Sequence, residues 1–241
     1  MYIKILTFNT HHGKGMDRRV NLNRISNIIK SSNADIIGLN EVDNQFSRRS
    51  NFENQALWLA NELKMDYVFG PAITYENQSE NIFRQYGNAL LSRLPIIKSE
   101  NHPFDFLPRV AEDRALLEAD IKIGDEIFTV YVTHLSFAPF QHRKQTEFIL
   151  KKVSANPYSS IVLGDWNMKP FSKSWRLVTE YLKDVNPGHE KNYTYPSRRP
   201  NVKLDYIFIS REIEVISAGV FNAGIIASDH LPYMTTIMVN Q

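Results

Sequence analysis

A carboxylate and a carboxamide two positions apart, Asp165 and Asn167, follow the run Ile161-Val162-Leu163-Gly164. Side chains alternate faces along an extended backbone, so the two project the same way if the extension continues past Gly164. Alone, the pair reads as a buried strand running out into a solvated turn. The pattern recurs, however. Asn9 follows Ile3 to Phe8, Glu41 follows Ile36 to Leu39, and His134 follows Phe128 to Thr133. Asp205 opens a run that ends at Ile209, and Asp229-His230 stand just ahead of Tyr233 to Val239. Open sheets place their chemistry at the carboxyl ends of strands. One acid and one amide, Glu41 and Asn9, suffice to hold a hard cation that keeps several of its waters, such as Mg²⁺. Histidines suit proton handling or contact with a phosphoryl oxygen. An aspartate bonded to such a histidine fixes its tautomer and favours its charged form. The combination matches metal-assisted attack of water on a phosphate ester.

Other chemistries lack their residues. There is no Gly-x-Ser-x-Gly elbow, no His-Glu-x-x-His zinc motif, no Walker phosphate loop and no dinucleotide fingerprint. Absence of cysteine removes disulfides and thiolate metal sites. His11 and His12 have the residue types of a metal pair, but neighbours on a strand face opposite ways, and they are set aside on that ground.

The elements that must position these groups alternate between strands and helices. Leu22, Ile25, Ile28 and Ile29 recur at helical spacing, giving a helix over 20–31. Further helices are expected over 52–63, with Leu57, Leu59, Ala60 and Leu63 inward, over 141–153, and over 172–182 with Ser172 as N-cap. Short strands are expected at 66–70 and 86–93, and Gly124-Asp125 joins two strands as a hairpin. Residues 73–85 are polar and read as an irregular loop over a cleft. Residues 187–200 read as a second polar loop. Tyr75, Phe83, Tyr193 and Tyr195 fall in these loops, placed either to stack on a base or cover a lipid or sugar head group, or simply to pack. The count is a dozen or so elements, mostly strands, which fits two facing sheets with helices outside them.

Hydrophobic residues make up 43% of 241, ample for a core, and no linker, charge block or repeat marks a boundary, so 1–241 reads as one domain. With 28 basic and 26 acidic residues the net charge is +2, which neither demands nor forbids a polyanionic partner. No segment has the ~18 apolar residues of a membrane span. Met1 leads straight into an alternating strand without a signal-peptide pattern, so the expectation is a cytoplasmic monomer with no stable membrane anchor.

Six blocks carry a resemblance: Thr7-Phe8-Asn9, Gly38-Leu39-Asn40-Glu41-Val42, Thr133-His134-Leu135, Gly164-Asp165-Trp166-Asn167, Leu204-Asp205-Tyr206-Ile207 and Ser228-Asp229-His230-Leu231-Pro232. In this order they resemble the endonuclease/exonuclease/phosphatase superfamily, to which DNase I belongs, and its compact bacterial members most. Asn40 departs from the usual Gln. The resemblance implies a four-layer α/β sandwich and a Mg²⁺-dependent phosphoesterase in which Mn²⁺ substitutes. It implies Glu41 as the principal metal ligand with Asn9 beside it, and Asp229 as a further carboxylate at that shell or at a second metal. Asp165 would orient and help deprotonate the water, and Asn167 would stabilise the pentacovalent phosphorus. His134 and His230 would contact non-bridging oxygens, with Asp205 orienting His230. The implied substrate is a phosphate ester, foremost a phosphodiester, with nucleic acid among the candidates; a phosphomonoester or a sphingomyelin-type phospholipid is the alternative. A binding module that kept the fold without the chemistry should show gaps at these positions, and none is missing. Arg114 and Asn88 are left outside the catalytic set.

Overall fold

The computed structural model describes residues 1–77, 82–105, 112–187 and 192–239. In chain order the elements are β1 (Tyr2–Asn9), α1 (Leu22–Ser32), β2 (Ile36–Asn44), α2 (Gln55–Leu63), β3 (Asp66–Asn77) and β4 (Ile82–Ser92). Then come β5 (Ile96–Pro103), β6 (Ala115–Ile123), β7 (Glu126–His134), α3 (Pro139–Ala155), β8 (Ser159–Asp165) and α4 (Lys173–Tyr181). The last are β9 (Lys183–Asp184), β10 (Asp205–Ile209), β11 (Glu214–Val220) and β12 (Tyr233–Met238). They form two six-stranded mixed sheets, ordered β11-β12-β1-β2-β4-β3 and β5-β6-β7-β8-β10-β9.

Period-two alternation builds the layers. On β1, Ile3 and Ile5 enter the core between the sheets, whereas Leu6 and Phe8 face α1 and α2. On β8, Ile161 and Leu163 point to the same central core, and Val162 packs beneath α3 and α4. Each fully buried Ile or Leu of these cores contributes about 1.5–3 kcal/mol. The result is the expected four-layer sandwich. The sheets approach so closely at Gly38 that a Cβ there would lie 2.6 Å from Leu163 Cδ1.

The inward-facing column of each central strand ends in a polar residue at one edge of the sandwich. β1 and β2 run parallel with Asn9 opposite Asn40, and β7 and β8 run parallel with His134 opposite Asp165. β10 runs antiparallel to β8, so its first residue, Asp205, is the one that faces Asp165. Strand direction and pleat alone therefore bring five polar side chains to one rim.

Two expectations need correction. Residues 73–77 and 82–85 do not form a loop: β3 and β4 pair from Asp66↔Ser92 out to Asn77↔Ile82, with one register shift between Pro71 and Ile73. Ladder hydrogen bonds carry this hairpin beyond the layers, and apolar alternation is not needed there. Tyr75 and Phe83 thus lie on strands, both exposed; residues 78–81 lie outside the described ones. The second helix begins at Gln55, capped by Asn54, whose side chain accepts from Leu57 N. Its buried stripe is Ala56, Leu59, Ala60 and Leu63, and Leu57 faces solvent. Ser172 caps α4 as expected, accepting from Trp175 N. Of the second polar loop, 188–191 lie outside the described residues. Among the described residues no helix is long and apolar enough to cross a membrane.

Candidate active site

Asn9, the last residue of β1, is buried and donates from Nδ2 to Glu41 Oε1 and to Asp165 Oδ2, each at 3.0 Å. Two carboxylates thus converge on one small, partly positive group. A divalent cation at this point would be the stronger electrostatic equivalent. Glu41 reaches it because β2 breaks register with β4 between Leu39 and Val42, and Glu41 itself has φ 56°. Such a bulge re-aims a side chain that a regular strand would leave elsewhere.

Asp165 is held at every polar atom. Its N–H donates to Asn40 Oδ1 at 2.9 Å, and its Oδ1 accepts from Asn167 N at 3.0 Å. The fully buried Asn40 also donates to Asn88 Oδ1 at 2.8 Å and to Thr133 O at 2.9 Å, and so ties the two sheets together beneath the site. Asn88 in turn donates to Ala115 O at 3.0 Å. Gly164 permits this packing: its φ is 143°, and a Cβ there would sit 1.8 Å from Thr133 O. β8 ends at Asp165, and Asn167 enters the site by another route than the expected extension, through a left-handed backbone at φ 47°. Its Nδ2 donates to Leu135 O at 2.8 Å and lies 3.2 Å from His134 Nε2.

The two histidines sit in opposite electrostatic environments. His230 Nδ1 lies 2.8 Å from Asp205 Oδ2, with both side chains buried. Burial works against the charged ring, but the carboxylates of Asp205 and Asp165 outweigh it and hold the pKa up to about 10. His230 is therefore a cation, with Nε2 3.6 Å from Asp165 Oδ2. The ring of Tyr195 lies 4.8 Å from that of His230. His134 is pushed far down by burial, by Arg114 and by His230, and stays neutral. Its Nδ1 is 3.1 Å from Arg114 Nη1. A guanidinium only donates, so toward Arg114 Nδ1 accepts, and Nε2, which also faces the Asn167 carboxamide nitrogen, lies 3.4 Å from Asp165 Oδ2. Burial raises the pKa of Asp165, against the pull of His230 and with that of Asp205.

Asn9, Glu41, His134, Asp165, Asn167, Asp205 and His230 thus meet at one rim. Asp229 turns aside: its Oδ1 lies 3.5 Å from His11 Nδ1 and 3.2 Å from Ser228 Oγ. Sequence reasoning missed Arg114, which is 6% exposed and bonded to His134 and Glu112. Its place directly ahead of the apolar run Ala115-Leu116-Leu117 was the available signal. The donor set fits a hard cation on two observations: the carboxylate oxygens gathered around Asn9, and Asp205 Oδ1, buried with no hydrogen-bond partner among the described residues.

Two cavities that share Lys169 lie beside Tyr195 and Asn167. One, of about 660 Å³, is lined by Lys169, Phe171, Tyr193 and Tyr195 among others. The other, of about 620 Å³, is lined by Phe137, Arg143, Asn167 and Lys173 among others.

Comparison with known proteins agrees with this arrangement. A profile of the Endonuclease/Exonuclease/phosphatase family matches residues 6–230. The uncharacterised protein YbhP of Escherichia coli (strain K12) is 26% identical over 230 residues, covering 86% of this chain and 84% of YbhP. An endonuclease/exonuclease/phosphatase from Beutenbergia cavernae DSM 12333 superposes with a TM-score of 0.83 at 22% identity, covering 99% of this chain and 72% of that one. The mannosyl-6-phosphatase Bt3783 of Bacteroides thetaiotaomicron VPI-5482 gives 0.78 at 16% identity, covering 98% of this chain and 100% of that one. At these identities the structural likenesses speak to the fold.

Proposed function

The chain belongs to the endonuclease/exonuclease/phosphatase family, and on that premise we propose that it is a divalent-metal-dependent phosphoesterase that hydrolyses phosphodiesters by in-line attack of water. The observation that carries this reading is the convergence of Asn9, Glu41, Asp165, His134 and the Asp205–His230 pair on one rim. Glu41, and Asn9 once its carboxamide turns Oδ1 from His11 N toward the site, would hold a Mg²⁺ or Mn²⁺ ion, which when bound neutralises phosphate charge and lowers the pKa of coordinated water. Asp165, with its raised proton affinity and fixed oxygens, takes up the proton of the attacking water. His134 offers a neutral Nε2–H donor to a non-bridging oxygen, and His230 offers a cationic one that Asp205 keeps in place. Asn167 adds its carboxamide beside the phosphorus.

The test is chelator-sensitive, Mg²⁺-dependent hydrolysis of bis(p-nitrophenyl) phosphate against p-nitrophenyl phosphate. Faster turnover of the diester is expected, with loss of at least about 10²-fold in Asp165→Asn and His230→Ala while both stay folded. Preference for the monoester would replace diester by monoester in the reading. Undiminished turnover in both variants would reject it.

A further inference from the structure

We propose that His11, His12 and Glu41 form a second cation site, selective for imidazole-preferring divalent transition metals of the Zn²⁺ class. It rests on the function proposed above only in that Glu41 serves both sites. The geometry is that of a built site. One ligand atom from each residue lies within 4.8 Å of the other two. Donors about 2.1 Å from a common ion span at most about 4.2 Å, so closure takes about half an ångström. The sequence expectation failed here because the two histidines are not on a strand. His11, His12 and Gly13 form a left-handed turn with φ values of 46°, 45° and 76°. That turn sets the imidazoles edge to face at 4.6 Å instead of on opposite sides.

The backbone cost of two consecutive left-handed histidines is what a bound ion would offset. His12 is 8% exposed, and its ring nitrogens, which make no hydrogen bond among the described residues, are not sealed from solvent, so an ion can reach them. His11 has the complementary feature, a carboxylate at its other nitrogen, with Asp229 Oδ1 3.5 Å from Nδ1. Metal-ligating histidines are commonly held in that way, which leaves Nε2 for the ion. Asp43 pairs with the nearby Arg49 bidentately at 2.9 and 2.6 Å and so offsets part of the guanidinium charge that faces His12. Two imidazoles and one carboxylate make a softer set than the all-oxygen group at Asn9, so the two sites divide metals by type.

The experiment uses the tag-free chain stripped with EDTA, and calorimetric titration with Zn²⁺ in excess Mg²⁺, with Co²⁺ absorption as a spectroscopic reporter. One Zn²⁺ per chain is expected in the presence of Mg²⁺, weakened about 100-fold in His11→Gln and His12→Gln. Thermal melts establish that each variant is folded; His11, the more exposed, serves if His12→Gln is not. Asp165→Asn should abolish hydrolysis and leave Zn²⁺ affinity intact, so the two readings fail separately. Wild-type Zn²⁺ affinity in a folded His11→Gln chain, or Zn²⁺ fully displaced by Mg²⁺, would overturn the site.

Discussion

Replacing Asn40 by alanine removes a carboxamide that, together with Asn88, joins both sheets beneath the rim. It orphans three buried groups at once: the Asp165 N–H, the Thr133 carbonyl and Asn88 Oδ1. An orphaned buried polar group costs about 1–3 kcal/mol, so the sum would be roughly 3–9 kcal/mol if nothing relaxed. A water entering the void recovers part of this, and the expected loss is about 3–5 kcal/mol. For a domain of this size that lowers Tm by roughly 6–20 °C. Urea unfolding with unchanged m would measure it. Asn40→Asp is the sharper control. It keeps an acceptor for Asp165 N–H but turns a charge toward two oxygens, and should cost at least as much. Because Asp165 loses its backbone anchor, hydrolysis should also fall in whatever fraction remains folded. A loss under about 1 kcal/mol in both variants would refute the bridge as a structural necessity.

Two further outcomes follow from the same coordinates. Gly164→Ala forces a Cβ to 1.8 Å from Thr133 O at φ 143°, while Gly124→Ala meets nothing within 4 Å at φ 62°. The first should fail to fold or lose more than about 4 kcal/mol and the second about 1 kcal/mol, so equal losses in urea curves would contradict the packing. His230 titrates near 10 in the folded chain against an ordinary 6.5. Its folded form holds the proton more tightly, so this stabilisation is complete below about pH 6.5 and is lost as pH rises through about 10. Unfolding free energies from about pH 6 to about pH 10 should decline by a few kcal/mol more in the wild type than in His230→Gln; parallel declines would refute the ion pair.

Much of this was legible because the central strands are buried on both faces. Runs such as Ile36 to Leu39 and Ile161 to Leu163 have no other ready meaning, and the polar residue ending each run marks the rim. What escaped were features without an apolar period or with irregular backbone. The β3–β4 hairpin is polar because much of it is solvated, and ladder bonds leave no trace in composition. Asn167, Glu41 and the His11-His12 pair reach their places through left-handed residues, which strand alternation cannot foresee. Arg114 could be read equally as a phosphate contact or as a solvated strand arginine; its burial beside His134 comes from the pairing of β6 with β7.

The pairing of β1 with β12 has a consequence for how the rim is put together. β1 lies between β2 and β12, and Ser228 Oγ donates to Asn9 O across the intervening chain. Until the 228–238 segment docks, β1 shows a bare flank and no imidazole stands beside Asp205. Loosening that one strand should therefore empty the rim of His230 while most of both sheets stay stacked.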